Sequence, residues 1–283
     1  MHFNFLSTIC LLALSGLGAA SKRAVARTLN IVAHQDDDLL FQNPDIIHDI
    51  GSGRRVRTVY LTAGDAGRGW EYWTSRQAGA MAAYAEMAGV SNDWEESDLG
   101  IPGKDIPLYT LSDRQRISIA FMHLPDGSID GNGFPSTDNE SMEKLWKESI
   151  PEIRTVDESG TTYTRQELID TLTTIIDDFG PDDVNALDYL HDFGTGDHSD
   201  HTAGGLFANE AAIPSEFPGN VIAYIGYPTS DLPANVDGED LEEKKAAFYT
   251  YAAYDDAVCS SDEACAGGPY ESWLARLYNL SGL

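Results

Sequence analysis

Five apolar runs, at residues 29–33, 56–62, 117–124, 184–187 and 221–226, are separated by stretches of helical period, and this alternation constrains the chain more than any other feature. The runs are short and unbroken, the pattern of strands covered on both faces. Between them, residues 39–50 read as a helix stopped by Gly51-Ser52-Gly53, and residues 76–89 carry Ala and Met at helical spacing with Gly89 as the stop. Thr164-Arg165-Gln166-Glu167 has the capping-box form and opens a helix to Phe179, where Gly180-Pro181 ends it. Residues 203–213, 239–251 and 270–280 read as the remaining helices, and residues 155–164 as a hairpin insertion. The alternation implies an α/β, Rossmann-like architecture: a mostly parallel sheet with helices on both faces and a site at the C-terminal ends of its strands.

At 283 residues the chain suffices for one large core, and with no linker-like stretch residues 28–283 are expected to form a single domain. An apolar content of 42% argues for a folded chain rather than a disordered one. Forty-six acidic residues against eighteen basic ones leave a formal charge of −28. That field repels nucleic acid and anionic membrane, and it suits a neutral substrate or simple solubility.

Residues 3–20 are apolar and end in Gly18-Ala19-Ala20, so residues 1–20 are expected to be a signal peptide and residues 21–27 a short tail, with Lys22-Arg23 as a second trimming point. Lys22, Arg23 and Arg27 follow the apolar run and no Lys or Arg precedes it, which favours an uncleaved anchor. The run is shorter than the ~20 residues that a spanning helix needs, so the expected location is secreted and extracellular. Removal of the leader takes Cys10 and leaves Cys259 and Cys265, expected to form a disulfide contributing roughly 2 kcal/mol; the alternative is two free thiols. Asn139-Glu140-Ser141 and Asn279-Leu280-Ser281 are glycosylation acceptors in a secreted chain.

The strand at 29–33 runs out into Ala33-His34-Gln35-Asp36-Asp37-Asp38, and His198-Ser199-Asp200-His201 follows the strand at 184–187. His34 and Asp37 lie three apart across a strand-to-loop turn, close enough to reach one ion, and His201 is the candidate third ligand. Two imidazoles and a carboxylate suit zinc with an open position for water, whose pKa then falls to about 7. Asp36 is the candidate general base beside the ligand Asp37. His198 is placed as general acid or oxyanion stabiliser, with Asp200 holding its tautomer. Asp38 is expected to act behind the ligands.

Ala33-His34-Gln35-Asp36-Asp37-Asp38 resembles the Ala-His-Pro-Asp-Asp-Glu signature of the PIG-L / LmbE-like zinc de-N-acetylases, and His198-Ser199-Asp200-His201 matches their second motif, His-x-Asp-His. Thr62-Ala63-Gly64-Asp65-Ala66-Gly67 and the following helix also look like that family, and the resemblance runs from about Leu29 to Gly226. It implies Zn2+ on His34, Asp37 and His201, Asp36 as base, and His198 stabilising the tetrahedral intermediate and assisting the leaving amine. It also implies an arginine, here Arg76, at the substrate pocket. Gln35 and Asp38 depart from the signature without removing a ligand or the base. The implied activity is hydrolysis of the acetamide of an N-acetylated sugar to a free amine and acetate. Trp70, Tyr72 and Trp73 crowd the loop after the second strand, where their faces would either stack on a sugar ring or pack the loop down.

Asp126-Gly127-Ser128-Ile129-Asp130-Gly131 resembles half a calcium loop, but Thr137 stands where the closing glutamate belongs, so a plain turn is expected. His48, His123 and His191 are assigned no role. Three other readings compete with the secreted deacetylase. A membrane-anchored N-acetylglucosaminyl-phosphatidylinositol deacetylase of the endoplasmic reticulum would use the apolar N-terminus as its anchor. A non-haem iron oxygenase would use His34, Asp36 and His201 as ligands. A carbohydrate-binding protein without activity would keep only the fold.

Overall fold

The computed structural model describes residues 25–280; the expected signal peptide, Cys10 and Lys22-Arg23 lie outside the described residues. In chain order the elements are β1 (Arg27–Val32), α1 (Asp37–Phe41), α2 (Asp45–Gly51), β2 (Arg55–Thr62), α3 (Trp70–Ala88), β3 (Trp94–Asp98), β4 (Pro107–Leu111) and β5 (Ile117–Leu124). There follow α4 (Met142–Trp146), β6 (Ile153–Arg154), β7 (Thr162–Tyr163), α5 (Arg165–Phe179), β8 (Asp183–Leu187), α6 (Ser199–Ala212) and β9 (Val221–Tyr224). The chain closes with α7 (Gly238–Ala252), α8 (Asp262–Cys265) and α9 (Pro269–Leu274).

Seven strands form one sheet in the order β3-β4-β5-β2-β1-β8-β9, parallel from β5 to β9 and antiparallel at β3 and β4. Period-two alternation sends Leu29 and Ile31 of β1 into one core with α5 and α6, and Val32 into a second core with α3 and α7 on the opposite face. The expected α/β sheet covered on both faces is what the chain forms. Because β2 lies on one side of β1 and β8 on the other, the connections after β1 and β8 diverge and leave a crevice at the strand ends.

Several boundaries differ from the sequence expectation. The helix expected over 39–50 is two short helices, because Pro44 has no N–H to donate into a continuous helix. α3 begins six residues earlier than expected, so Trp70, Tyr72 and Trp73 lie on its first turns rather than in a loop. The last helix stops at Leu274. The edge strands β3 and β4 went unread, since Trp94-Glu95-Glu96-Ser97-Asp98 has no apolar period; its acidic side chains suit an exposed sheet edge. The hairpin insertion forms as β6–β7, and the Thr164–Glu167 capping box is present with both of its hydrogen bonds. Cys259 and Cys265 are disulfide-bonded, with Cα atoms 5.2 Å apart.

Candidate metal centre and active site

The turn after β1 and the first turn of α6 meet across the crevice. His201 lies in α6, not in the preceding loop, because α6 starts at Ser199, and His198 is its N-cap: its Nδ1 accepts the backbone N–H of Asp200 at 3.1 Å. Histidine is outside the usual capping set, so this helix start was not legible as one. The fold thereby brings His34, Asp37 and His201 together, with ligand atoms all within 4.8 Å of one another and every side chain buried. Asp37 Oδ1 lies 2.9 Å from His201 Nε2, and Asp37 Oδ2 lies 3.2 Å from His34 Nδ1 while accepting the His34 backbone N–H at 2.6 Å.

The far nitrogen of each imidazole faces another carboxylate. His201 Nδ1 is 2.7 Å from Asp197 Oδ1, and His34 Nε2 is 3.3 Å from Asp200 Oδ2. A carboxylate behind a ligating histidine fixes the ring and raises its basicity, the arrangement expected around a bound divalent ion. Burial works against a charged His201, but Asp37 and Asp197 together push it up to about 10. Burial likewise opposes charge on Asp37, yet His201 and His34 hold it well below the usual carboxylate range. The three residues therefore fit a cation: two nitrogens and an anionic oxygen converge at a spot where positive charge is strongly favoured.

Asp200 takes a different place from the one expected. Its carboxylate stands 3.8 Å from His198 Nδ1, which is already engaged by the Asp200 backbone. The Oδ2 atom instead serves His34 and accepts the Gly127 N–H at 2.7 Å. Asp200 thus orients a candidate metal ligand, and only its main chain sets the His198 ring. With Nδ1 an acceptor, the proton of a neutral His198 sits on Nε2. Burial and the neighbouring His34 and His201 push His198 down to about 3, which keeps the ring neutral.

Asp36 is buried beside Asp37, and its Oδ1 accepts from Arg76 Nη2 at 2.7 Å. Burial raises the Asp36 pKa and the Arg76 guanidinium offsets part of that rise. Arg76, expected at the substrate pocket, is only 7% exposed and its donors are committed within the protein. Nη1 donates to Gly64 O at 2.7 Å, Nε donates to the Tyr251 hydroxyl at 2.7 Å, and Asp255 Oδ2 lies 3.1 Å away. It holds Asp36, the candidate base, rather than facing open space. Gly64, at φ +57°, leaves room for this: a Cβ there would sit 2.5 Å from Arg76 Nη1. Arg76→Met is expected to lower stability by about 3–5 kcal/mol, because Asp36 and Asp255 are left as buried charges without their partner. Urea unfolding of both chains measures this directly.

Asp38 is fully buried behind the ligands and accepts from Tyr60 at 2.9 Å and Tyr84 at 2.7 Å, with burial pushing its carboxyl up to about 7. Gln35, where the family signature has proline, tethers the turn by donating to Thr62 O at 3.0 Å. The two tryptophans separate. Trp73 is 9% exposed and packs on His123 with ring centroids 4.9 Å apart, so it has too little free face to stack a sugar. Trp70 is 66% exposed.

The sequence reading took Asp126 only as part of a turn and did not single out Asp197 or Asp255. Asp126 does open a turn, accepting the Ser128 N–H at 2.8 Å. Its carboxylate also faces the site, 3.7 Å from His34 Nε2 and 3.9 Å from His198 Nε2. Asp197 stands behind His201 and Asp255 behind Arg76. Only Asp197 carried a local signal, its four-residue spacing from His201.

Among solved structures the fold is similar to N,N'-diacetylchitobiose deacetylase from Pyrococcus horikoshii, at TM-score 0.51 and 17% identity over 89% of this chain and 76% of that one. It is also similar to GalB, the 4-carboxy-2-hydroxymuconate hydratase from Pseudomonas putida (TM-score 0.48, 13% identity, 88% and 83% covered). A third similar structure is the zinc-inhibited form of teicoplanin deacetylase Orf2 (TM-score 0.44, 16% identity, 81% and 84% covered). The likeness to the chitobiose deacetylase is one of fold. No curated protein sequence matched the chain. Residues 29–212, which carry both motifs and every candidate ligand, match the family model described as PIG-L: GlcNAc-PI de-N-acetylase, and the chain belongs to that family.

Proposed function

We propose that this protein is a secreted, zinc-dependent hydrolase that removes the acetyl group from an N-acetylglucosamine-type sugar or glycoconjugate, releasing acetate. The observation that carries the reading is the buried convergence of His34, Asp37 and His201 with Asp36 held beside them by Arg76, in a chain of the PIG-L family. Two imidazoles and one carboxylate favour zinc, with another divalent ion as the alternative. The chemistry an ion held there supplies is Lewis acidity and a lowered pKa for water.

The chain's own groups supply the rest. Arg76 occupies Asp36 Oδ1, so Oδ2 is the oxygen free to take a proton from the attacking water. His198, neutral and with Nδ1 engaged, donates from Nε2 to the carbonyl oxygen as negative charge develops on it. The proton taken up by Asp36 is then the one available to the departing amine, which needs it to leave as a neutral base. Asp126 lines the other side of His34 and His198, where hydroxyl groups of a sugar would find an acceptor.

Secretion is supported by the apolar segment 3–20 with its small-residue end and by the Cys259–Cys265 disulfide. The membrane-anchored alternative draws on the family's described activity toward a phosphatidylinositol conjugate. No helix among the described residues is long and apolar enough to cross a membrane. N-terminal sequencing of the mature protein separates the two versions.

The deciding experiment is acetate release from N-acetylglucosamine, N-acetylgalactosamine, chitin oligomers and the phosphatidylinositol conjugate, each with and without chelator. The expected result is release from at least one sugar, lost on chelation and restored by Zn2+. Stoichiometric iron with oxygen-dependent turnover would overturn the reading in favour of an oxygenase.

A further inference from the structure

Tyr227 opens the short 3₁₀ turn that follows β9, and it lies beyond residues 29–212, which the family model covers. The chain passes close behind His201 here. The Tyr227 N–H donates at 3.0 Å to Asp197 Oδ1, the carboxylate oxygen on His201 Nδ1. The Tyr227 ring meets the His201 imidazole, with centroids 5.0 Å apart at 73°, and the His198 ring lies 6.3 Å away. Trp273 of α9 backs the tyrosine, stacked at 4.6 Å and 13°, and its Nε1 donates to Tyr227 O at 3.2 Å. Lys244 of α7 fixes the end of α9 in turn, donating to Trp273 O at 3.2 Å and Arg276 O at 2.6 Å. The ring is thus held from its backbone and from the face that Trp273 covers.

The hydroxyl that this ring carries is left without a partner. Among the described residues it makes no hydrogen bond, and Tyr227 is half-buried, so the oxygen is not sealed in a core. Four other tyrosines around the network commit theirs to carboxylates: Tyr60 and Tyr84 to Asp38, Tyr72 and Tyr251 to Asp255. Of the charges that act on the Tyr227 hydroxyl, those of Asp37 and Asp36 are the strongest, which puts it beside a candidate ligand and the base. A polar group fixed in place and left unpaired at a reacting centre is one that a bound molecule can satisfy. A phenol hydroxyl donates and accepts, as a sugar hydroxyl does. Asp36 passes its proton to the departing amine, so the sugar that bears this nitrogen lies on the same side.

We propose that the Tyr227 hydroxyl hydrogen-bonds a hydroxyl of the sugar unit that carries the reacting acetamide. A residue outside the family match then takes part in choosing the substrate. The proposal rests on the deacetylase reading for the identity of that sugar; the placement of Tyr227 against His201 does not.

Tyr227→Phe removes the oxygen and keeps the ring between His201 and Trp273, so zinc content and unfolding temperature are expected to stay at wild-type values. On the N-acetylated sugar that gives the fastest acetate release, KM is expected to rise about five- to tenfold with kcat little changed. Deoxy analogues of that sugar locate the contact: for the analogue that lacks the bonded hydroxyl, the two chains are expected to share one KM. NMR titration of N-acetylglucosamine into Asp36→Asn reads binding without turnover, and adding Tyr227→Phe is expected to raise its Kd by a similar factor. Unchanged KM with unchanged binding overturns the contact while acetate release keeps the deacetylase reading. Binding weakened by Tyr227→Phe, with no acetate released from any sugar, upholds the contact and sinks the deacetylase reading. A KM penalty that persists with every deoxy analogue shows that no sugar hydroxyl is the partner. A fall in kcat at unchanged KM overturns the proposal, because the hydroxyl then acts only in the transition state. Loss of zinc overturns it by making Tyr227 a support for His201.

Discussion

Asp36→Asn is expected to lower kcat for acetate release by between about 10² and 10⁴, with metal content unchanged. The amide matches the carboxylate in shape, and its oxygen still accepts from Arg76 Nη2, the contact that Asp36 Oδ1 makes at 2.7 Å. What it loses is the ability to take a proton from water. KM should move little, because Asp36 holds a proton rather than a sugar. Acetate assays paired with metal analysis decide the matter. If zinc leaves along with activity, Asp36 is a ligand, as the oxygenase-type arrangement of His34, Asp36 and His201 requires. If activity survives, the assignment of Asp36 as base is wrong.

Gly226→Ala is expected to weaken metal binding by about 10- to 100-fold although residue 226 touches no ion. Gly226 lies just past β9, where an added Cβ would stand 2.4 Å from Asp197 Oδ2 and 2.7 Å from His201 Nδ1. Either the carboxylate or the imidazole must move. The ring is held between Asp37 on Nε2 and Asp197 on Nδ1, so a shift of either partner misaims the nitrogen offered to the ion. Asp197→Asn should act in the same direction without any steric change, since an amide is a weaker acceptor for the His201 N–H. Equilibrium dialysis against zinc measures both, and activity in both should recover as zinc is raised. Wild-type affinity in Gly226→Ala would show that the contact behind His201 does not govern the site.

Where the fold differed from its sequence expectation, the cause was a local signal outweighed or misread. Pro44 interrupts the expected helix, and its missing N–H was available in the sequence. The start of α6 was hidden because a histidine does the capping. The start of α3 was hidden because Gly69 precedes it with no side-chain cap, and three aromatic residues in its first turns resemble a loop more than a helix. By contrast, the strands that build the floor of the site were legible, since burial on both faces demands unbroken apolar runs. His34 and Asp37 were legible for a related reason: polar side chains directly after such a run have no packing role in the strand, whereas His201 was read from its His-x-Asp-His motif.

The sequence by itself determined the layered α/β sheet, the two ligand-bearing motifs and the capping box of α5, and it pointed to the pairing of Cys259 with Cys265. Each of these follows from residues within a few positions of one another, or from there being only two cysteines after residue 10. Tertiary structure decided which partner each polar group serves. Asp200 faces His34 instead of His198, Arg76 is locked between Asp36 and Asp255, and Trp73 turns inward while its neighbour Trp70 stays open. Those outcomes depend on how α7 packs against α3, where Gly79 lets the Tyr251 ring and backbone approach, and on how α6 meets the turn after β1. A carboxylate's role is set by the charge that burial places beside it, and Arg76 beside Asp36 and His201 beside Asp37 lie 40 and 164 positions away along the chain.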